Sequence, residues 1–448
     1  MNVLLVYLPF CTPASPPYSI TQMRSFLDVN CEANVSVLDL NVMFHNLQFP
    51  TWKAYFRAGD FSDYEENVKE FRKKSSAIYS TNNKNVVQGE KPGFFDELLR
   101  GIRERKPDIV AFSIVYSSQA FWAKALLDEL KDVTTVIGGP CVNDKLKADH
   151  HFINEIEFLE FLRGEKVDHE SLKFDVIPDF SVYNLEDYFT PAAVIPIKTS
   201  TTCFYKQCTF CSHYANLPYK EYDLELIEKT IVKSGARYFF LIDDMIPKKR
   251  LVELGKIMKE YDVKWTCQLK PTKDLDEETM KQLFDCGLRM VIWGVESGCQ
   301  RVLDLMKKGT VKEDVADVLA ASHKVGVANV CYVMFGFPSE TKQEFMETIE
   351  FLEENQEAVD LISPSVFGLQ HGTPIYNDPD SFGIINVVEE ERTVLEPKVS
   401  YSVASGLSNM EALTLKKKMK SRLNSINKYP ATMNFFRGHM LWKVENNL

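Results

Sequence analysis

Cys203, Cys208 and Cys211 fall within nine residues, a C-x4-C-x2-C spacing that follows the apolar run Ala193 to Ile197. Three thiolates on one short loop can hold a metal ion or an iron–sulfur cluster and leave a coordination position open, and an open position is where metal centres do chemistry. The trio admits two blander readings: a structural zinc site completed by His213, which follows Cys211 at C-x-H spacing, or three unrelated buried thiols. What surrounds the loop in the sequence favours the catalytic reading over both.

From about Pro196 to Tyr376 short β-rich runs alternate with helical patterns, the signature of βα units and a mostly parallel sheet. Six strands are predicted, near Ala193–Ser200, Arg237–Asp243, Val263–Leu269, Arg289–Glu296, Val327–Phe335 and Asp360–Phe367. Such a barrel-like sheet carries its chemistry at the C-terminal ends of its strands. Those ends hold Asp243-Asp244, Gly294-Val-Glu-Ser297 and Gly336-Phe-Pro338, beside the cysteine loop on the first strand. Each alone reads as an ordinary turn or helix cap; together, carboxylates and glycines at strand mouths suit a polar ligand approached closely by backbone.

The loop Cys203-Phe-Tyr-Lys-Gln-Cys-Thr-Phe-Cys211, the segment Trp293-Gly-Val-Glu-Ser-Gly298 continued by Leu303-Asp-Leu-Met-Lys-Lys-Gly-Thr310, and Met334-Phe-Gly-Phe-Pro-Ser-Glu-Thr341 together resemble the radical S-adenosylmethionine (SAM) superfamily. The resemblance covers roughly residues 190 to 376, with the first cysteine spacing one residue longer than the commonest pattern. It implies that the three cysteines ligate a [4Fe–4S] cluster, that SAM binds the fourth iron, and that reductive cleavage gives a 5′-deoxyadenosyl radical. The electron comes from an external flavodoxin- or ferredoxin-like reductant. By the same resemblance Asp243 and Asp244 meet the methionine ammonium, Glu296 and Ser297 the ribose hydroxyls, Gly336 to Pro338 the adenine, and Phe210 shields the cluster. Core packing for Phe210 and a helix N-cap for Ser297 are the competing structural roles.

Residues 1 to 185 read differently, as an open doubly wound, Rossmann-like α/β domain with strands at Asn2–Leu8, Val35–Asn41, Asp108–Val115 and Thr134–Pro140 and a helix over Gln119–Leu130. Lys106-Pro-Asp-Ile-Val-Ala-Phe-Ser113, Ile137-Gly-Gly-Pro140 and the approach Ile177-Pro-Asp-Phe-Ser181 resemble the cobalamin-binding domain that precedes the radical domain in cobalamin-dependent relatives. The resemblance implies a corrin across the loops after Leu8, Ser113 and Gly138-Gly139. The nearest match to a lower-axial D-x-H-x-x-G motif, Asp149-His-His-Phe-Ile-Asn154, lacks the glycine and follows the fourth strand, so it reads as a surface histidine pair.

Residues 47–91 interrupt this domain with an aromatic and then polar insertion, whose least structured part is expected at Thr81–Asn85, either covering the substrate entrance or decorating the surface with helix. Residues 186–376 form the barrel, and 377–448 a mainly helical region whose basic run Lys416–Arg422 reads as a solvated face. The net charge of −11 argues against a mainly electrostatic nucleic-acid partner. No apolar stretch reaches membrane-span length, Met1-Asn2 carries no basic region of a secretory signal, and seven scattered cysteines outside the loop suit a reducing, cytoplasmic compartment. The expectation is a radical SAM enzyme, in the first instance a cobalamin-dependent methyltransferase of a small molecule or peptide. A radical enzyme without cobalamin and a non-catalytic zinc protein are the alternatives.

Overall fold

The computed structural model describes residues 1–212 and 217–446. The chain divides into two units, the first made of Met1–Pro196, Glu225–Ala236 and Glu391–Pro397 and the second of the remainder.

The first unit is built on strands β1 (Asn2–Tyr7), β2 (Asn34–Asp39), β3 (Ile109–Ser113), β4 (Thr134–Gly138) and the two-residue β5 (His150–His151). Their order is β2-β1-β3-β4-β5 and every pair is parallel. Residues such as Val3, Leu5, Ile109 and Val136 are buried because crossover helices cover the sheet, which is why its strands read as near-continuous apolar runs. His150 and His151 of this segment form β5, and Asp149 directly precedes it. Asp149 accepts from the backbone N–H and hydroxyl of Thr135 at 2.8 Å each, and the His150 ring packs 4.3 Å from that of Phe161. His151 is exposed.

The insertion is helical throughout its polar half. A helix spans Tyr64–Val87 and includes Thr81–Asn85, where the sequence suggested the least structure. Burial of Tyr64, Val68, Phe71, Asn82 and Val86 on one face holds it, the Glu65–Lys69 and Glu70–Lys74 pairs support its exposed face, and Asn82 Oδ1 accepts from Gly93 N at 3.0 Å.

The second unit carries β6 (Val194–Ile197, whose last residue opens the unit), β7 (Tyr238–Leu241), β8 (Lys264–Leu269), β9 (Leu288–Glu296), β10 (Ala328–Phe335) and β11 (Leu361–Val366). Their order runs consecutively from β6 to β11 in one sheet, the arrangement of a partial barrel. The helices Lys248–Glu260, Glu277–Asp285, Lys312–Lys324 and Lys342–Glu354 return the chain between strands, the last opened by a capping box between Thr341 and Glu344. Beyond the barrel the chain is not only helical. An antiparallel hairpin of β12 (Ile384–Glu390) and β13 (Lys398–Val403) precedes the helices Asn409–Ile426 and Arg437–Glu445. Among the described residues no helix is long and apolar enough to cross a membrane.

Candidate active site

The cysteine loop leaves the end of β6 and is tied at three places to the segment after the helix Gln300–Leu305. Thr209 N donates to Met306 O at 3.0 Å, Thr209 Oγ1 to Leu305 O at 3.3 Å, and Tyr205 Oη to Lys307 O at 2.8 Å. The last tie passes Gly309, at φ +64°, where a Cβ would stand 2.2 Å from the Tyr205 hydroxyl oxygen. Cys203, Cys208 and Cys211 are all partly exposed thiols.

Two half-enclosed ammonium groups face this loop. Lys308 is 8 % exposed and its Nζ donates to Glu296 Oε1 at 2.8 Å. Burial opposes its charge, but Glu296 and then Cys208 outweigh that, and Cys211 adds to them, so its pKa rises. Lys270, just past β8, lies 3.5 Å from the Tyr205 ring centroid and donates to Lys308 O at 3.1 Å. Burial and then Lys308 pull its pKa down, while Cys208 and Cys203 act the other way. Burial raises the Cys208 thiol and Lys308 opposes this. Cys208 and Cys211 act on Lys308, and Cys208 and Cys203 on Lys270, so the three sulfurs share one electrostatic neighbourhood with the two ammonium groups.

Among the described residues no three His, Cys, Asp or Glu side chains converge on a single ion. His213, the proposed fourth zinc donor, lies outside the described residues. An all-thiolate donor set on a partly open loop, under two ammonium groups, fits an iron–sulfur cluster.

The other strand ends converge on this region in different ways. Asp243 is 1 % exposed and engaged by the segment after β6: it accepts from Thr199 N at 2.9 and 3.1 Å and from Ser200 Oγ at 2.6 Å. It thus latches the start of the cysteine loop to β7; burial raises its pKa, although these donors oppose the shift. Asp244 is exposed. Glu296 sits at φ +63° at the β9 bulge and faces Lys308. The Ser297 hydroxyl lies 3.1 Å from Thr348 Oγ1 and accepts from Cys299 N, a helix-entry role. Phe210 packs on the cluster of Cys299, Val302, Met306 and Phe337, with the Lys308 ammonium 5.9 Å from its ring centroid. Gly336, at φ +71°, donates its N–H to Glu340, and a Cβ there would stand 2.6 Å from that of Ala412; the buried ring of Phe337 separates it from Pro338.

In the first unit, Ser113, Gly138 and Gly139 line a cavity of about 220 Å³ at the C-terminal ends of β3 and β4, with Ser19, Ile137 and Phe152. Ser113 donates to Ser19 Oγ at 2.9 Å. Gly139 has φ +116°, and a Cβ there would stand 2.5 Å from Ile114 O. Leu8 does not reach the cavity: its side chain is buried and its carbonyl accepts from Gln119 Nε2 at 2.9 Å. Among the described residues no histidine lines this cavity.

Sequence reasoning missed Lys270 and Lys308. Both follow strand or motif ends as Asp243 and Glu296 do, and that position was the available signal; lysine beside proline or glycine otherwise reads as surface.

The fold and the site define a class. Residues 197–352 match the profile of the radical SAM superfamily, so the chain carries a radical SAM domain, which takes a [4Fe–4S] cluster and SAM. The chain is 25 % identical to an uncharacterised methyltransferase of Pyrococcus horikoshii over 39 % of its own length and 40 % of that protein's. It is also 25 % identical to bacteriochlorophyllide d C-8(2)-methyltransferase of Chlorobaculum tepidum, over 44 % of this chain and 47 % of the relative. The alignments thus span less than half of either relative. Among solved structures, the radical SAM methyltransferase TsrM of Kitasatospora setae, in complex with tryptophan and a SAM analogue, has the same fold, with a TM-score of 0.64 at 13 % identity over 95 % of this chain and 88 % of that one.

Proposed function

We propose that this chain is a cobalamin-dependent radical SAM methyltransferase acting at an unactivated carbon of a small molecule or peptide, with an external one-electron reductant. The observation that carries the radical part is the cysteine trio on the β6 loop beside Lys270 and Lys308. When bound, the cluster supplies the electron that splits SAM into methionine and a 5′-deoxyadenosyl radical, and cobalamin carries the methyl group.

The chain's own residues bind and orient. Cys203, Cys208 and Cys211 hold the cluster. Lys308 and Lys270 stand beside the cysteine loop as counter-charges, and Glu296 anchors Lys308 or receives a ribose hydroxyl. The turn from Gly336 to Pro338 would pass the adenine, with Phe210 and Phe337 excluding water. The cobalamin part rests on the cavity at Ser113, Gly138 and Gly139, which lies at the C-terminal ends of β3 and β4, where an open doubly wound sheet binds its ligands.

Anaerobic reconstitution tests both parts. Wild-type chain is expected to take up about four iron and four sulfide. Cys208→Ala is expected to lose the brown chromophore and all 5′-deoxyadenosine formation; retained cleavage would overturn the ligand assignment. Purification with hydroxocobalamin is expected to give a bound corrin spectrum. A cluster-loaded chain that cleaves SAM but retains no corrin would instead favour a radical enzyme without cobalamin.

A further inference from the structure

Arg437 opens the final helix, Arg437–Glu445, which reaches the beginnings of the barrel strands. Glu445 accepts from Arg289 Nε at 2.6 Å and from Arg237 Nη2 at 3.4 Å, and Asn446 Nδ2 donates to Tyr238 Oη at 3.4 Å. The helix thus runs from those starts toward the middle of the sheet and presents Arg437 there.

The face it presents Arg437 to is the one without crossover helices. On β10, Asn329 Nδ2 donates to Leu319 O of the helix Lys312–Lys324, and Phe335 stacks at 4.1 Å on Phe345 of the helix Lys342–Glu354. Residues of that parity face the helices, so Tyr332 points to the other side, the inside of the partial barrel. The Arg437 guanidinium lies 4.3 Å from the Tyr332 ring centroid. Tyr332 pairs in register with Gly294, and a Cβ on Gly294 would stand 2.6 Å from Lys308 Nζ. Arg437, Tyr332, Gly294 and Lys308 therefore form one row across the inner face, ending at the cysteine loop.

Arg437 is poorly satisfied where it sits. Among the described residues its one hydrogen bond is from Nη2 to Ser363 Oγ at 3.4 Å, its Nε is enclosed without a partner, and no carboxylate lies within ion-pair distance. Burial draws its pKa down to about 10, so it stays charged near neutrality. An enclosed guanidinium without a counter-charge is costly, and a fork of donors matches a carboxylate or phosphate in bidentate fashion.

We infer that Arg437 is the anchor for an anionic group, carboxylate or phosphate, on the molecule this site acts upon. That molecule is then an acid or a phosphate ester. The inference rests on the proposed function only in taking the barrel interior as the substrate side.

Inorganic phosphate is the probe, titrated into the full chain before any cluster is reconstituted, in Hepes buffer without carboxylate. Phosphate is expected to raise the melting temperature of the wild type, Arg437→Met to abolish that rise, and Arg437→Lys to keep a part of it. In phosphate-free buffer Arg437→Met is expected to unfold at the same or a higher urea concentration, because it removes an unpaired charge. A wild type that does not respond to phosphate, a rise undiminished in Arg437→Met, or a lowered urea midpoint for that variant would each overturn the assignment; if Arg437→Met does not fold, an undiminished rise in Arg437→Lys does so. Iron and corrin play no part in these readings, so their outcome is separable from that of the reconstitution assays.

Discussion

Glu340 shows how one side chain beside the site trades stability for position. It is fully buried, its Oε2 accepts the N–H of Gly336, and its Oε1 is enclosed without a partner. Burial lifts its pKa from 4.5 to about 8, with Gly336 N–H and Arg301 opposing and Glu344 adding to the rise. A carboxyl whose pKa rises on folding binds its proton more tightly in the folded chain. Its cost is absent below the unfolded value, grows as pH climbs through the interval and levels off above 8. At about 1.4 kcal/mol per pH unit the full cost reaches a few kcal/mol. Glu340→Gln is therefore expected to gain on the wild type across that window and hold a constant lead beyond it, read from urea midpoints; a pH-independent difference would refute this. The sequence showed Glu340 only as part of a turn motif, because its burial depends on Gly406 and Leu407, far along the chain. Gly406 would place a Cβ 2.6 Å from Glu340 O, and Leu407 N donates to the same carbonyl at 2.7 Å. Lys270 and Lys308 escaped notice for a related reason: their polarity says surface, and only the folded loop encloses them.

At the scale of elements, the barrel divides its strands between chemistry and support. The beginning of β10 is pinned by Asn329, whose Oδ1 accepts from Trp293 Nε1 at 2.7 Å and whose Nδ2 donates to Leu319 O and Ala358 O at 3.0 and 2.7 Å. Asn329→Leu would leave the indole N–H buried without its acceptor and take one donor from each of the two carbonyls. At about 1–3 kcal/mol for a stranded buried group, with the two lost donors added, a loss of a few kcal/mol is expected in urea unfolding. Trp293→Phe removes one donor and is expected to cost less. The ten longer strands of the two sheets were legible to within a few residues, since strands buried on both faces write themselves as apolar runs. The hairpin was not: β12 exposes all but Ile384, and its register shifts between Ile385 and Val388, so neither a buried run nor clean alternation marks it. The helix Tyr64–Val87 was obscured over Thr81–Asn85 because only Asn82 of that stretch turns inward.

For the whole molecule, the cysteine loop hangs on a scaffold already complete without it. The pairing of the second unit's sheet and the Thr209 and Tyr205 ties are made without the side chains of Cys203, Cys208 or Cys211. Removing iron with a chelator is therefore expected to leave the far-UV circular dichroism unchanged and to lower the melting temperature by mass action alone. Collapse of secondary structure on chelation would show that the cluster is a structural core instead. The two-part architecture was readable from the alternation of strand and helix signals, and the radical domain from three quoted motifs. The proposed hold on substrate was not, because Arg437 lies more than two hundred residues from the cysteines and meets the barrel at Tyr332 and Ser363.

The vacant side-chain position of Gly309 binds two distant parts of the chain to a common history. A methyl group there would close the passage through which the Tyr205 hydroxyl reaches Lys307 O. In an alignment of this lineage, any larger residue at position 309 should travel with the loss of tyrosine at 205, and independent variation of the pair would mean that the passage is not what keeps the glycine.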